Sequence, residues 1–353
     1  MNAASANIDP NPFDDHETGR LRVPSFLWKF QRICLRTQGK GIAMKRLFLT
    51  ALCVVLGMSA QLAFAETQHS RIGHGRLLTN DLLGDGKDRW RTGSYALSFA
   101  FSKLDEGDAP QAKSFGDVIE LRGGVEFIAP SNLTGAGSGD RAWAGVVSIG
   151  LHSPFDMNAL TGSFGLDISA VGPQTGLSDL QTRFHKRLGF NVPSRAKSDA
   201  QVSNKIVIGP VLELAKPIAF AGGEFRPFVE LRGGIETLAR VGADVWIGGT
   251  HPFAMMARDP SSGFRYGIGR TTSQTNAIGF VLGADHTYVA SSYLFPTSHL
   301  AVMEKTRTRA RFGVMAQREA YGIFAGWTWV SPEFKGQDPK GQVLGSVRFF
   351  GNF

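Results

Sequence analysis

Residues 160–170 read LTGSFGLDISA. Leu160, Gly162, Phe164, Leu166, Ile168 and Ala170 fall on one face, and Thr161, Ser163, Gly165, Asp167 and Ser169 on the other. Unbroken alternation over eleven residues is the pattern of a strand, and it is long enough to cross a bilayer at a tilt. The same period recurs through Trp143, Gly145, Val147, Ile149 and Leu151, and through Tyr321, Ile323, Ala325, Trp327 and Trp329. A further apolar face, Leu121, Gly123, Val125 and Phe127, stands opposite Glu120, Arg122 and Glu126. Charges on the second face of several strands would be costly in the core of a soluble sandwich. A membrane barrel has a polar lumen for them and a lipid-facing apolar band.

The pattern therefore predicts an all-β chain folded as a transmembrane antiparallel β-barrel, with short helices in extracellular loops. Strand segments are expected near 71–82, 92–103, 114–129, 141–152, 157–171, 203–219, 224–238, 240–249, 274–290, 305–319, 320–331 and 342–353. These are about twelve, an even number that suits closure and leaves no edge exposed. Trp143, Trp329 and Phe127 stand near strand ends, where an interfacial aromatic girdle would need them. The last strand ends on Phe353, which resembles the terminal signal of outer-membrane barrels. The octapeptides ELRGGVEF at 120–127 and ELRGGIET at 230–237 read as convergent strand grammar, because nothing around them matches. Residues 251–272 are expected to form an extracellular loop with one short helix.

The chain has 353 residues, 43 of them glycine, and only 19% are charged. One run is apolar enough to enter a membrane as a helix, which excludes a polytopic helical protein. That run, 47–58, follows Met44-Lys45-Arg46 and precedes Ala63-Phe64-Ala65, the layout of a cleaved secretory signal. Residues 1–43 are thus expected to be an upstream extension, 44–65 the signal peptide, Glu66 the mature N-terminus and 66–353 the barrel. The run is too short for an anchor, and Leu52 before Cys53 does not fit lipoprotein processing. Without residues 1–65, the formal charge of +8 falls to +4, from 30 basic against 26 acidic residues. Little then favours a nucleic-acid partner. Both cysteines, Cys34 and Cys53, also lie in the removed part, so no disulfide or thiol chemistry is expected.

Residues 172–189, GPQTGLSDLQTRFHKRLG, break the strand rhythm. Leu177, Leu180, Phe184 and Leu188 recur at helical spacing, which predicts a short amphipathic helix between strands. Gln181 and His185 share one face, where both can reach one ligand. Ser178 and Gln181 equally fit a capping box, and a histidine in a loop helix is commonly only solvated. A second polar cluster follows the first strand: Thr79-Asn80-Asp81, then Asp85, Asp88, Arg89 and Thr92. These hard oxygen ligands suit Ca²⁺, while Asp85-Gly86 also reads as an ordinary turn.

Taken in order, Asn80-Asp81, Asp88-Arg89-x-x-Thr92, Gly139-Asp140-Arg141-Ala142, Gly172-Pro173, Gln181-x-x-x-His185-x-x-x-Gly189 and Gln201-x-x-Asn204 resemble the outer-membrane lipid A 3'-O-deacylases. The resemblance spans nearly all of 72–353. It implies a twelve-stranded barrel in the Gram-negative outer membrane that hydrolyses the 3'-linked acyl ester of lipid A with Ca²⁺ as cofactor. By the same resemblance His185 is the base that activates water, and Asn80, Asp81, Thr92 and Gln181 line the site and supply the metal's oxygens, Asp81 foremost. The chemistry is consistent, since an imidazole titrates near neutral pH and a divalent cation stabilises an oxyanion. There is no Gly-x-Ser-x-Gly motif, which favours water attack over an acyl-enzyme. This chain departs from the family at Asn191, where an acidic residue is usual, at Arg91, where an aromatic is usual, and before Gln201, where the usual Trp is absent.

Two readings follow. In one, a monomeric ester hydrolase embedded in the outer-membrane bilayer binds lipopolysaccharide, and Arg89, Arg91, Lys186 and Arg187 meet the phosphates of lipid A. In the other, the chain is a non-catalytic pore or structural barrel and these pairs are merely lumen polar residues.

Overall fold

The computed structural model describes residues 70–102, 114–134, 140–248, 253–271, 276–318 and 321–351. The expected extension 1–43, signal peptide 44–65, mature start Glu66 and terminal Phe353 lie outside the described residues.

The strands are β1 (Ser70–Asn80), β2 (Trp90–Ser102), β3 (Val118–Ala129), β4 (Ala144–Met157), β5 (Leu160–Val171), β6 (Lys205–Ala215), β7 (Ile218–Phe220), β8 (Gly223–Arg232), β9 (Glu236–Ile247), β10 (Phe253–Arg258), β11 (Arg265–Thr271), β12 (Ala277–Ser292), β13 (Thr306–Arg318), β14 (Tyr321–Val330) and β15 (Gln342–Gly351). Twelve of them form the wall, antiparallel throughout, with β6 closing on β8 and β1 on β15. They are the twelve expected from the sequence. The short β7 carries the line of β6 past Lys216 and Pro217 and also pairs with β8. Closure is what permits such a sheet in lipid, because hydrocarbon offers no partner to an unpaired amide. With strand direction alternating, the start of β1 and the end of β15 share one end of the barrel. The connections after β1, β3 and β5 share the other, the far rim.

Side chains follow the predicted alternation. On β5, Phe164, Leu166 and Ile168 are exposed toward lipid, while Asp167 turns inward to His152 at 2.8 Å. The lumen holds a ladder of ion pairs, including Arg240–Glu230 at 2.7 Å, Arg258–Glu213 at 2.8 Å and Arg311–Asp244 at 2.6 Å. The first octapeptide lies on β3, and the second runs from the end of β8 through the turn into β9, yet each places an inward Glu-x-Arg pair, Glu120–Arg122 and Glu230–Arg232. Their likeness is thus a shared solution to charge inside a barrel.

The segment expected as an extracellular loop with a helix is a hairpin of β10 and β11 inside the lumen. It leaves between β9, which runs away from the far rim, and β12, which returns toward it, so it starts at the termini end. Its tip is fixed by lumen side chains: Arg309 donates to the Pro260 carbonyl at 2.7 Å, Thr328 to the Ser262 carbonyl at 3.0 Å and Ser261 to Glu126 at 3.1 Å. A Cβ on Gly75 would stand 2.4 Å from the Gly267 carbonyl oxygen, so the close approach of β11 to β1 requires glycine there. Phe253, Phe264, Tyr266 and Ile268 of the hairpin gather Leu77, Met315 and Phe324 of the wall into one buried cluster. The lumen is therefore partly apolar, which alternation on the wall strands alone could not reveal.

Asp285 accepts from Arg309 at 3.0 Å, lies 3.4 Å from Arg240 and also pairs with Arg311. Replacing it with Ala leaves three buried guanidiniums facing one another. Asp285→Ala is expected to cost about 3–5 kcal/mol, read as a lowered temperature for the heat-modifiable band shift in gels. An unchanged transition would mean that the ladder contributes little to holding the barrel closed.

Candidate active site

The far rim carries a cleft of about 910 Å³ between the β1–β2 connection and a helix, α1 (Leu177–Leu188), that follows β5. A shorter helix, α2 (Arg195–Asp199), leads on to β6. The cleft is lined by Asn80, Asp81, Arg89, Thr92, Gln181 and His185, together with Asp88 and the apolar side chains of Leu180, Phe184 and Phe190. Sequence-distant residues predicted for the site are thus brought together.

Helix α1 starts after Gly176, without a side-chain cap, so the possible Ser178–Gln181 capping box does not form. The helix packs on the wall through Leu177, Gln181 and His185, one residue per turn, all buried. Leu180, Phe184 and Leu188 are exposed. Gln181 Oε1 accepts from the Trp143 indole N–H at 2.6 Å. Trp143 is accordingly buried beneath the helix, and is not part of the interfacial girdle expected for it. Gly189 ends α1 at φ 74°, a left-handed turn that glycine adopts without strain, and Phe190 N–H returns to the His185 carbonyl at 2.9 Å. That turn sets the Asn191 carbonyl oxygen 2.6 Å from His185 Nδ1. A carbonyl can only accept, so Nδ1 carries a proton and Nε2 is the nitrogen turned to the cleft. Nε2 lies 3.3 Å from Asp88 Oδ2.

The other side of the cleft is built by a turn and a bulge. Asn80 Oδ1 caps the short 3-10 turn at Asp81–Leu83 by accepting from Leu82 N–H at 2.8 Å. Trp90 sits at φ 54°, a strained conformation for a bulky residue, held by the Phe334 ring at 6.2 Å. The β2–β3 register then skips Thr92, an extra residue that bulges into the cleft. Its hydroxyl is 2.5 Å from Asp88 Oδ1 and 3.1 Å from Asp81 Oδ1. One hydroxyl proton cannot serve two carboxylates at once. Asp81 is fully buried and accepts otherwise from Arg89 N–H at 2.8 Å and weakly from the Gln342 amide at 3.4 Å, both neutral donors. Burial, with the charges of Asp88 and Asp85 adding to it, pushes its pKa up to about 8.

These residues fit a hard cation. The cleft has a proton too few for its carboxylates and no basic side chain on Asp81, and Asp81, Asn80, Thr92 and Gln181 all offer oxygen. Among the described residues no three acidic, His or Cys side chains converge as a metal-binding group, so neutral oxygens would have to complete the shell.

Of the basic residues predicted to meet substrate, Arg89 lines the cleft, stacked 3.8 Å over the Trp90 ring and paired with Asp85 at 3.3 Å. Lys186 and Arg187 are exposed on α1 but outside the cleft lining. Arg91 does not reach the cleft: next to the bulge it turns into the lumen and pairs with Glu333 at 2.9 Å, Glu236 at 3.1 Å and Glu126. The sequence reading places Asp88 in the polar cluster without giving it a role beside His185, and it passes over Gln342, Trp143 and the Asn191 carbonyl as site members. A main-chain oxygen and a residue 251 positions from its partner leave no local signal.

Raising a buried carboxyl's pKa has a defined sign. The stability due to neutral Asp81 is complete below its ordinary value of 3.8 and is lost as pH rises to about 8. In chelator-containing buffer at pH 9, Asp81→Asn is expected to melt several degrees above the unsubstituted protein, with the gap closing toward pH 4. A gap that does not vary with pH would show that Asp81 is not the group responsible.

No curated protein matches the chain. Among solved structures, LpxR from Salmonella typhimurium superposes with a TM-score of 0.63 at 19% identity, covering 79% of this chain and all of that one. Pseudomonas putida OprB superposes at 0.30 with 9% identity, covering 85% of this chain and 97% of its own. The monoaromatic hydrocarbon channel CymD superposes at 0.35 with 10% identity, covering 81% and 89%. The profile of the outer membrane protein LpxR family matches residues 48–353, which includes every strand of the barrel, and the chain belongs to that family.

Proposed function

We propose that this protein is a lipid A 3'-O-deacylase of the outer membrane, which hydrolyses the 3'-linked acyl ester with a water activated by His185. The observation that carries the reading is His185 itself: buried, locked at Nδ1 by the Asn191 carbonyl, with Nε2 beside Asp88 in a cleft that has an apolar outer wall. Family membership and the barrel architecture support a substrate drawn from the same membrane.

In this mechanism the acyl chain lies along Leu180, Phe184 and Phe190, where its burial draws the ester to the rim. Water between Nε2 and the ester carbonyl gives its proton to Nε2. The Asp88 carboxylate, 3.3 Å away, stabilises the imidazolium that forms. The water oxygen bonds to the acyl carbon, the same proton then passes to the departing sugar oxygen as its bond to that carbon breaks, and the fatty acid leaves as the free acid, which gives its remaining proton to solvent. Gln181, anchored by Trp143, and Thr92, placed by its bulge, orient the reacting groups. A Ca²⁺ ion held by Asp81 with oxygens of Asn80, Thr92 and Gln181 would supply electrostatic stabilisation of the oxyanion. Asn191 in place of an acid leaves the His185 contact intact, because the partner is the main chain. The pore reading is disfavoured by the hairpin that occupies the lumen.

Expression in a host with hexa-acylated lipid A, followed by mass spectrometry, tests this directly. The mass of the 3' acyl group should disappear with wild type and Ca²⁺, and remain with chelator. His185→Ala should lower the rate by about a hundredfold to ten-thousandfold, whereas Asn191→Ala should stay within a few-fold of wild type. An unaltered lipid A profile from a well-folded barrel with Ca²⁺ present would overturn the assignment.

A further inference from the structure

The barrel wall is not uniformly sealed. Between β1 and β15 only Leu78, Thr79 and Asn80 are paired, with Val347, Ser346 and Gly345. Continued downward, that register would set Leu77 opposite Arg348 and Arg76 opposite Phe349, and neither pair forms. On their other sides the same strands are laddered, β1 to β2 from Ser70 onward with one bulge between Arg71 and Gly73, and β15 to β14 as far as Gly351. The result is a seam whose two edges, toward the termini end, have no ladder partner. Such edges are costly at membrane depth unless something accepts from their amides.

The seam also carries basic side chains without acidic ones beside them among the described residues. Arg71, His74 and Arg76 are exposed and face outward, opposite Phe101, Phe99 and Leu97 of β2. Arg348 stands behind them on the lumen side, buried, its guanidinium 4.4 Å from the Phe253 ring and 5.0 Å from the Phe350 ring, with Nε lacking a hydrogen-bond partner. Arg71, His74 and Arg76 share the outward face of β1 within six residues of one another. Among the described residues none of the three arginines has a carboxylate partner, whereas the lumen arginines at 122, 232, 240, 258, 307, 309 and 311 all do.

We propose that the unpaired part of the β1–β15 seam binds the phosphate of an anionic phospholipid headgroup in the leaflet at the termini end, held by Arg71 and Arg76 with His74 beside them. A phosphate diester supplies what the seam lacks: acceptor oxygens for guanidinium forks and for free edge amides, and negative charge against an unbalanced cluster. The position suits a lipid and not a solute, because the basic side chains project outward from a wall whose neighbouring outward residues are Leu97, Phe99 and Phe101. The acyl chains of the lipid would lie on that apolar surface, while its headgroup stays near the barrel end where arginine reaches the interface. This site is separate from the far-rim cleft and does not depend on the hydrolase reading.

The test is native mass spectrometry of the intact barrel in dodecyl maltoside, with dioleoylphosphatidylglycerol or dioleoylphosphatidylcholine added. Phosphatidylglycerol should remain as a one-lipid adduct and phosphatidylcholine should not. In Arg71→Gln/Arg76→Gln the adduct should weaken by roughly tenfold or more, the worth of a charge-assisted contact. Arg71→Lys/Arg76→Lys should keep most of it, and Arg318→Gln, which removes an exposed cation from the same barrel end, should leave it unchanged. The heat-modifiable band shift reports folding, and Arg76→Gln alone carries the test if the double variant does not fold. Equal retention of both lipids, an undiminished adduct in a folded Gln variant, or an equal loss in Arg318→Gln would overturn the proposal. Displacement of the lipid by millimolar inorganic phosphate would instead mark the seam as a free-phosphate site and overturn it as well.

Discussion

Backbone amides in hydrocarbon have no water to turn to, and from that single constraint the rest of this molecule follows. A sheet that must close places alternate side chains in an enclosed lumen, and a chain with Asp, Glu and Arg at those positions must balance them against one another there. The ladder from Glu213 and Arg258 through Asp244, Arg311 and Asp285 is that balance. A lumen narrowed by paired side chains then accepts a hairpin returning from the termini end, whose aromatic residues find apolar wall positions. The far rim is left as the place where irregular backbone is tolerated. There the 3-10 turn, the Thr92 bulge and α1 assemble a cleft.

The wall was legible in the sequence because period two is a local property and every wall strand displays it. The hairpin of 253–271 was not, since its apolar residues contact other parts of the lumen and not each other in a repeating pattern. In the cleft, Asn80, Asp81, Thr92, Gln181 and His185 could be named because polar residues at fixed spacing beside strand breaks stand out. Arg91 was misassigned for a physical reason: a bulge one residue away cancels the alternation by which its direction would be inferred. Trp143 looked like a girdle residue until the helix that covers it was in place.

The substitution at 191 illustrates how geometry and side-chain identity separate. A reading that counts carboxylates finds this chain one short. The turn at Gly189 nevertheless fixes the imidazole through a main-chain oxygen, an orienting group that no side-chain replacement at 191 removes by itself.

Helix α1 is amphipathic in the reverse of the usual sense, with Gln181 and His185 turned inward and Leu180, Phe184 and Leu188 turned out. In water that arrangement would be unfavourable, and a chain crossing an aqueous compartment would have every reason to hide those leucines elsewhere. Here the inward face is held by Trp143 and the Asn191 carbonyl, and Leu180 and Phe184 of the outward face line the apolar side of the cleft. The imidazole is thus held by contacts on the protein side of the helix, while the face turned outward is the one suited to lipid at the rim.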